Sequence, residues 1–363
     1  MGGRDCSGRE RDRLMRLRDQ VPEVPSGHLD LTRIGASDAP AILGFDRYRS
    51  AHDVYLRLTE GLLEDEFPER LREAAAWGHR LEPLAAVALC ESLGLDVDDL
   101  VKGESRVMEA WEWARVSPDY LLTGDAPALI ECKLISARRF DSEEWGEDGS
   151  DCVPGRIKAQ VYFQLAAVHA EPDFWATQGL NVDRIEGAHV AVCVGGQRLR
   201  RYWLPWDEGI VGYVPSVCES FWFENVMEKI PPTPDGSDAC AKALALLASP
   251  GAPGRAATDP ERDLMNQILE AKESLNQTKR RIVELENELK ASMGSQSGVL
   301  MAGDAKASWI ERKGSTAWRA VANVLAEKTG SDELLEELSA DLVGTPSRYL
   351  KITRRASSGK REP

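Results

Sequence analysis

Residues 117–136 read SPDYLLTGDAPALIECKLIS, and the reading of the whole chain turns on them. The stretch predicts an acidic residue, Asp119, at the end of one strand, then a tight turn, then a second strand carrying Glu131 and Lys133. Side chains alternate along a strand, so Glu131 and Lys133 share one face while Ile130, Cys132 and Leu134 take the other. Two charged groups therefore project from a run otherwise fit for burial. Burying either charge is costly unless it is paired or binds a metal. Two readings stand at this point: a surface-facing Glu–Lys pair on an edge strand, or a metal centre.

Two helices elsewhere bear on that choice. Residues 69–94, ERLREAAAWGHRLEPLAAVALCESLG, place Leu71, Ala75, Gly78, Glu82, Ala85 or Ala86, Leu89 and Leu93 on one helical face. Glu82 interrupts that apolar stripe and needs a partner, either a metal or a lysine. Pro83 predicts a kink beside it. Residues 155–170, GRIKAQVYFQLAAVHA, predict a helix buried along Ile157, Val161, Leu165 and Val168, with Gln160 and Gln164 on a neighbouring face. A helix, a strand end and a strand thus supply Glu82, Asp119 and Glu131, which can converge at one hairpin. Hard oxygen ligands of this kind suit Mg²⁺ or Mn²⁺. Such ions lower the pKa of a water and hold a scissile phosphate, and a lysine can orient that water or help deprotonate it. No Ser-His-Asp arrangement, H-E-x-x-H or Walker loop competes, and His28, His52, His79, His169 and His189 are scattered.

Composition narrows the class. The chain has 363 residues, 42% hydrophobic and 29% charged, enough for one large core plus a module or for two domains. The net charge of −15 counts against a duplex DNA binder, which is more often basic, although the field of a local groove matters more than the sum. Seven cysteines, an odd number without C-x-x-C, read as free thiols in a reducing compartment. No apolar run is long enough to span a membrane or to open the chain as a signal peptide, so a soluble, cytoplasmic protein is expected.

Along the chain, residues 1–27 read as a polar arm. Ser37-Asp38-Ala39-Pro40 predicts a helix cap with proline in the first turn. Ser50 caps a second helix that ends at Gly61. Strands are expected near residues 101–107 and 111–116. Six of the eleven residues 141–151 are acidic, and the loop 141–155 is expected to be too polar to pack. A hairpin centres on Gly195-Gly196, and a helix covers 208–229. Residues 231–258 read as a linker around a short alanine-rich helix. Residues 259–293 form a heptad helix with Leu264, Ile268, Ala271, Leu275, Thr278, Ile282, Leu285 and Leu289 as its seam. That seam can assemble subunits or fold back on its own chain. Strands at 299–313 and 347–353, with helices 316–328 and 331–342 between them, complete the chain.

Four stretches in order, IGASDAPAILGFDRY, WGHRLEPLAA, SPDY with IECK downstream, and AQVYFQLAAVHA, resemble the phage lambda exonuclease family in its YqaJ-type viral recombinase branch, a member of the PD-(D/E)xK nucleases. The resemblance covers about residues 28–230. It implies an α/β (α+β) fold: a PD-(D/E)xK nuclease core with a central mixed β-sheet flanked by helices. The organisation expected is an arm (1–27), an exonuclease domain (28–230), a linker (231–258) and a coiled-coil-containing α+β extension (259–363). The resemblance further implies Asp119, Glu131, Glu82 and the backbone carbonyl of Cys132 as metal ligands, Lys133 as the water-orienting lysine, and Gln160 and, more loosely, Gln164 as the glutamines of the following helix. Ser37 matches a serine that seats the DNA 5′-phosphate. The family often has an arginine seven residues earlier, where this chain has Asp30, with Arg33 four residues before the serine. Either Arg33 supplies that cation or preference for a 5′-phosphate is weakened.

The activity implied is a Mg²⁺-dependent 5′→3′ exonuclease on double-stranded DNA ends, with Mn²⁺ able to substitute. It would leave 3′ single strands for a phage single-strand annealing protein, as a homo-oligomer that can be a ring-shaped trimer. An endonuclease of the same superfamily and a catalytically inactive DNA-binding or scaffold protein are the alternatives.

Overall fold

The strand carrying Glu131 and Lys133 lies in the middle of a sheet, not at its edge. The computed structural model describes residues 32–61, 69–141, 144–247, 253–293, 299–302, 305–308, 318–331 and 333. The chain divides into two compact units, Met1–Ala248 and Ser249–Pro363.

In the first unit, β1 (Ile34–Gly35), β3 (Arg106–Val107) and β4 (Ala114–Val116) form a small sheet in the order β1-β4-β3. The main sheet runs β2 (Leu100–Lys102), β5 (Tyr120–Leu122), β6 (Ala128–Ile135), β7 (Gly187–Val194), β8 (Arg198–Pro205). It is mixed: β6 and β7 are parallel and its other neighbours antiparallel. A parallel pair needs a crossover, and the segment between β6 and β7 holds α4 (Ala137–Asp141), α5 (Gly155–Ala170) and α6 (Pro172–Ala176). The β7–β8 hairpin turns at Gly195 and Gly196, whose φ values of +62° and +70° glycine adopts without a Cβ penalty.

Helices cover both faces. α1 (Ala39–Ile42) and α2 (Ala51–Glu60) precede α3 (Glu69–Leu93). Ala86, Leu89 and Cys90 of α3 pack in one cluster with Ile130 and Cys132. On the opposite face Leu129, Val190 and Val192 join Val161 and Leu165 of α5 in the larger core. The alternation of β6 therefore sends Ile130 and Cys132 toward α3, and Glu131 and Lys133 toward α5.

Several expectations change. The stripe along α3 is buried only beyond Pro83; Ala75 and Leu93 are exposed, and the Leu71 side chain lies outside the described residues. Ser37 does not cap α1. Its N-cap is Asp38, whose carboxylate makes no cap bond and is drawn into ion pairs instead. Ser50 does cap α2, in a reciprocal capping box with Asp53, and Gly61 ends that helix at φ +64°.

The acidic 141–155 segment packs, apart from residues 142–143, which lie outside the described set. Trp145 stacks on Phe140 with ring centroids 5.5 Å apart and tilts over Tyr202 at 5.1 Å. Asp148 accepts the Arg201 N–H at 2.7 Å and pairs with its guanidinium at 2.9 Å. Gly149 N–H donates to the Arg201 carbonyl, and Trp203 N–H donates to the Ser150 carbonyl. The segment thereby satisfies backbone groups along the outer edge of β8, where an open strand edge invites wrong pairing.

The expected helix 208–229 is α7 (Glu208–Ser220) continuing as a π-helix over Phe221–Met227. Most of the expected linker before residue 247 is structured: α8 (Asp238–Leu246) buries Ala239, Cys240 and Ala243, and Cys240 Sγ lies 3.6 Å from His52 Nδ1 of α2. The second unit contains α9 (Asp259–Met293), the antiparallel hairpin of β9 (Val299–Ala302) and β10 (Ala305–Ser308), and α10 (Trp318–Thr329). The strand expected at 347–353 and nearly all of the helix expected at 331–342 lie outside the described residues. Among the described residues no helix is long and apolar enough to cross a membrane.

His189 on β7 supplies a pH test of this sheet. Burial pushes its pKa from 6.5 down to about 4, and its ring lies against Trp203 at 4.5 Å. A histidine whose folded pKa is depressed contributes full stability above 6.5 and loses it as pH falls toward 4. The loss is at most about 3.5 kcal/mol, at roughly 1.4 kcal/mol per pKa unit. His189→Phe keeps a ring against Trp203, so its melting temperature will fall less than the parent's between those pH values in scanning calorimetry.

Candidate functional site

Asp119 directly precedes β5, and its Oδ2 accepts the Cys132 N–H across the strand pair at 2.8 Å. Glu131 is 2% exposed on the central strand. Its Oε1 accepts Gln160 Nε2 at 2.7 Å and its Oε2 accepts Gln164 Nε2 at 2.9 Å. Lys133 Nζ donates to Glu131 Oε1 and, at 3.0 Å, to Gln160 Oε1. Gln160 and Gln164 sit one turn apart on α5, which brings both amides over the same carboxylate. A buried anion with three donors on it is the arrangement that makes such burial tolerable.

Glu82 approaches from α3, the helix on the other face of the sheet. Its oxygens accept from His79 Nδ1 at 3.0 Å and Lys102 Nζ at 3.5 Å. The expected lysine partner is therefore Lys102 of β2, whose ammonium also lies 4.6 Å from the Tyr120 ring centroid. Glu82 is close enough to Asp119 to act on its charge. Direct convergence of three carboxylates is not found: among the described residues no three His, Cys, Asp or Glu side chains are grouped so as to hold a metal ion. Lys133 and the two glutamines occupy the Glu131 oxygens instead.

The electrostatics still fit a cation. Burial, joined by the negative charges of Glu131 and Glu82, raises the Asp119 pKa to about 8. Burial disfavours the Lys133 ammonium, but Glu131 and Asp119 outweigh it and raise its pKa, so the resting form is charged. Two carboxylates that raise the pKa of a third, all with hard oxygen donors, suit a divalent ion. Asp119 and Glu131 are the groups that would hold it, with the Cys132 carbonyl and Glu82 as the further ligands the resemblance implies.

Ser37 and Arg33, the two residues expected to read a DNA end, have different surroundings. Ser37 is exposed, but Arg33 turns to Thr32, donating to its Oγ1 at 3.2 Å, with its guanidinium 6.0 Å from the Trp222 ring centroid. Beside Ser37 lies Arg49, which donates to the Ser37 carbonyl at 3.4 Å and pairs with Asp38. Arg57 pairs with the other oxygen of Asp38 at 2.8 Å, and Arg115 lies near enough to Arg57 to lower its pKa. Asp38 thus pairs with two guanidiniums, Arg49 and Arg57, with Arg115 close to Arg57. Arg49, Arg57 and Arg115 escape the sequence reading because they lie on a loop, a helix and a strand that meet only in the fold. The Arg47-Tyr48-Arg49 run, ten to twelve residues past Ser37, was the available signal.

Residues 27–171 match the YqaJ-like viral recombinase domain family. The chain is 24% identical over 264 residues to the uncharacterized protein YqaJ of Bacillus subtilis (strain 168), covering 72% of this chain and 75% of that one. Among solved structures, an alkaline exonuclease from Laribacter hongkongensis aligns with 60% of this chain and 96% of its own at 13% identity and a TM-score of 0.35. The same exonuclease in complex with dAMP aligns over the same shares at 14% identity and a TM-score of 0.32.

Proposed function

We propose, because residues 27–171 match the YqaJ-like viral recombinase domain family, that this protein is a divalent-metal-dependent exonuclease resecting linear duplex DNA 5′→3′. The observation that carries this reading is the Asp119–Glu131–Lys133 cluster on adjacent strands, with Gln160 and Gln164 on Glu131. A Mg²⁺ ion bound by Asp119 and Glu131 would lower the pKa of a water and neutralise phosphate charge. Gln160 bridges Glu131 and Lys133 and fixes the distance between them. Lys133 keeps its proton and offers a remaining N–H to a water or a phosphate oxygen, so its role is to position and to neutralise. The 3′ single strand left behind suits a phage single-strand annealing protein.

End recognition falls to Ser37 and Arg49 in place of Arg33. The Ser37 hydroxyl is exposed and the Arg49 guanidinium is about one-third exposed, so both can reach a 5′-phosphate. Arg49→Ala will cut the rate ratio between 5′-phosphorylated and 5′-hydroxyl duplexes by about tenfold, the scale of one charge-assisted hydrogen bond. Arg33→Ala will leave that ratio unchanged.

Covalently closed circular duplex tests the reading against an endonuclease. With Mg²⁺ the linear form will be degraded and the circle spared. Cutting of the circle at a comparable rate favours an endonuclease, and no Mg²⁺-stimulated cutting of either favours a scaffold protein.

A further inference from the structure

We propose that α9 pairs with α9 of a second copy of this chain as a parallel, in-register, two-stranded coiled coil. The inference stands apart from the nuclease reading, because its readouts are mass and cross-linking rather than cleavage.

Thirty-five residues, Asp259–Met293, form one helix about 52 Å long at 1.5 Å per residue. Its seam alternates steps of four and three, with Ile268, Leu275, Ile282 and Leu289 at a and Leu264, Ala271, Thr278 and Leu285 at d. Leu264, Leu275, Ile282, Leu285 and Leu289 are between 42% and 58% exposed. Among the described residues nothing covers this seam, which the fold-back left open by the sequence would bury. A continuous apolar stripe of this length left in water is unfavourable, and it ordinarily marks an interaction surface.

The flanking charges select the occupant and its direction. The e positions are Met265, Lys272, Lys279 and Glu286, and the g positions are Gln267, Ser274, Arg281 and Glu288. In a parallel in-register pair each g residue faces the e residue five positions on in the other helix. That matches Arg281 with Glu286 twice, places Gln267 and Ser274 opposite Lys272 and Lys279, and creates no like-charge pair. In the antiparallel register that best aligns the seam, Ile268 meets Leu285 and Ile282 meets Ala271. There e faces e, and Lys272 meets Lys279 twice with no attraction to offset it. Isoleucine at two a positions with leucine at two d positions favours two strands over three. Within one helix Arg281 rests on Glu284 at 3.1 Å and Glu286 on Lys290 at 3.7 Å. These are exposed pairs that exchange readily.

The test uses the full chain. By sedimentation equilibrium at tens of micromolar the parent will have the mass of two 40.0 kDa chains, and Leu275→Asp/Ile282→Asp will halve it. Tryptophan fluorescence of the first unit will be unchanged, because neither residue is in its core. Arg281→Glu will weaken the dimer at least fivefold, and Arg281→Glu/Glu286→Arg will restore it. Leu285→Cys will form a disulfide between chains under mild oxidation beyond any seen in the parent, since only a parallel in-register pair brings the two 285 positions together. A monomeric parent, a mass of three chains, a mass indifferent to the seam substitutions, or no added cross-link at position 285 would each overturn the proposal.

Discussion

Lys133→Ala is expected to lower duplex degradation by on the order of 10³-fold while leaving the fold intact. The magnitude is that of removing a preorganised donor from a charge-developing centre. Lys133 supplies the ammonium that sits on Glu131 and Gln160. The variant will stay folded because Glu131 keeps its two amide donors from α5. Single-turnover kinetics on a labelled linear duplex, with circular dichroism on the same preparation, check both statements. Gln160→Leu removes the bridge without removing either charge, so its loss should be smaller, roughly 10-fold, as for one neutral hydrogen bond. A Lys133→Ala enzyme that is folded and as fast as the parent would remove the lysine from the chemistry.

Asp38→Ala is expected to destabilise the first unit by roughly 3 kcal/mol, the scale of breaking a buried ion pair and leaving one charge behind. Asp38 is 3% exposed and holds Arg57, whose side chain is 7% exposed, together with Arg49 and the Gly35 N–H. Burial works against the Asp38 carboxylate, but Arg49 and Arg57 overcome it and hold its pKa below 3.8. Burial pulls the Arg57 pKa the other way, downward. An arginine that starts so high stays charged at any working pH, so Asp38 decides the pair's pH response. A carboxylate with a depressed folded pKa contributes its stability above the unfolded value and loses it as pH falls through the folded one. The Asp38→Ala difference will therefore persist at neutral pH and shrink below 3.8. Urea unfolding followed by tryptophan fluorescence reads this difference.

How much of this was legible differs by residue. The period-two alternation of residues 128–135 places Glu131 and Lys133 on one face, and the structure has them there. That β6 is central rather than an edge depends on β7, which pairs with it from 59 residues further on, beyond the reach of local pattern. The four-residue spacing of Gln160 and Gln164 puts them on one side of α5, but only the packing of α5 on the sheet turns both amides onto Glu131. Glu82 is legible as an anomaly in an apolar stripe. Its partners His79 and Lys102 are not, because the stripe itself is buried only past Pro83. The polarity of residues 141–151 suggests a loop without packing, yet Arg201 and the free edge of β8 give those acids and backbone groups partners. Arg49 beside Ser37 depends on the turn between α1 and α2, which no periodicity encodes.

The most direct measurement of the account uses one linear duplex labelled either at its 5′ ends or at its 3′ ends, incubated with Mg²⁺ or with a chelator. The account predicts rapid release of the 5′ label in Mg²⁺, retention of the 3′ label on long single strands, and no release of either label in the chelator. Release that is indifferent to the chelator, or that removes the 3′ label first, would contradict it.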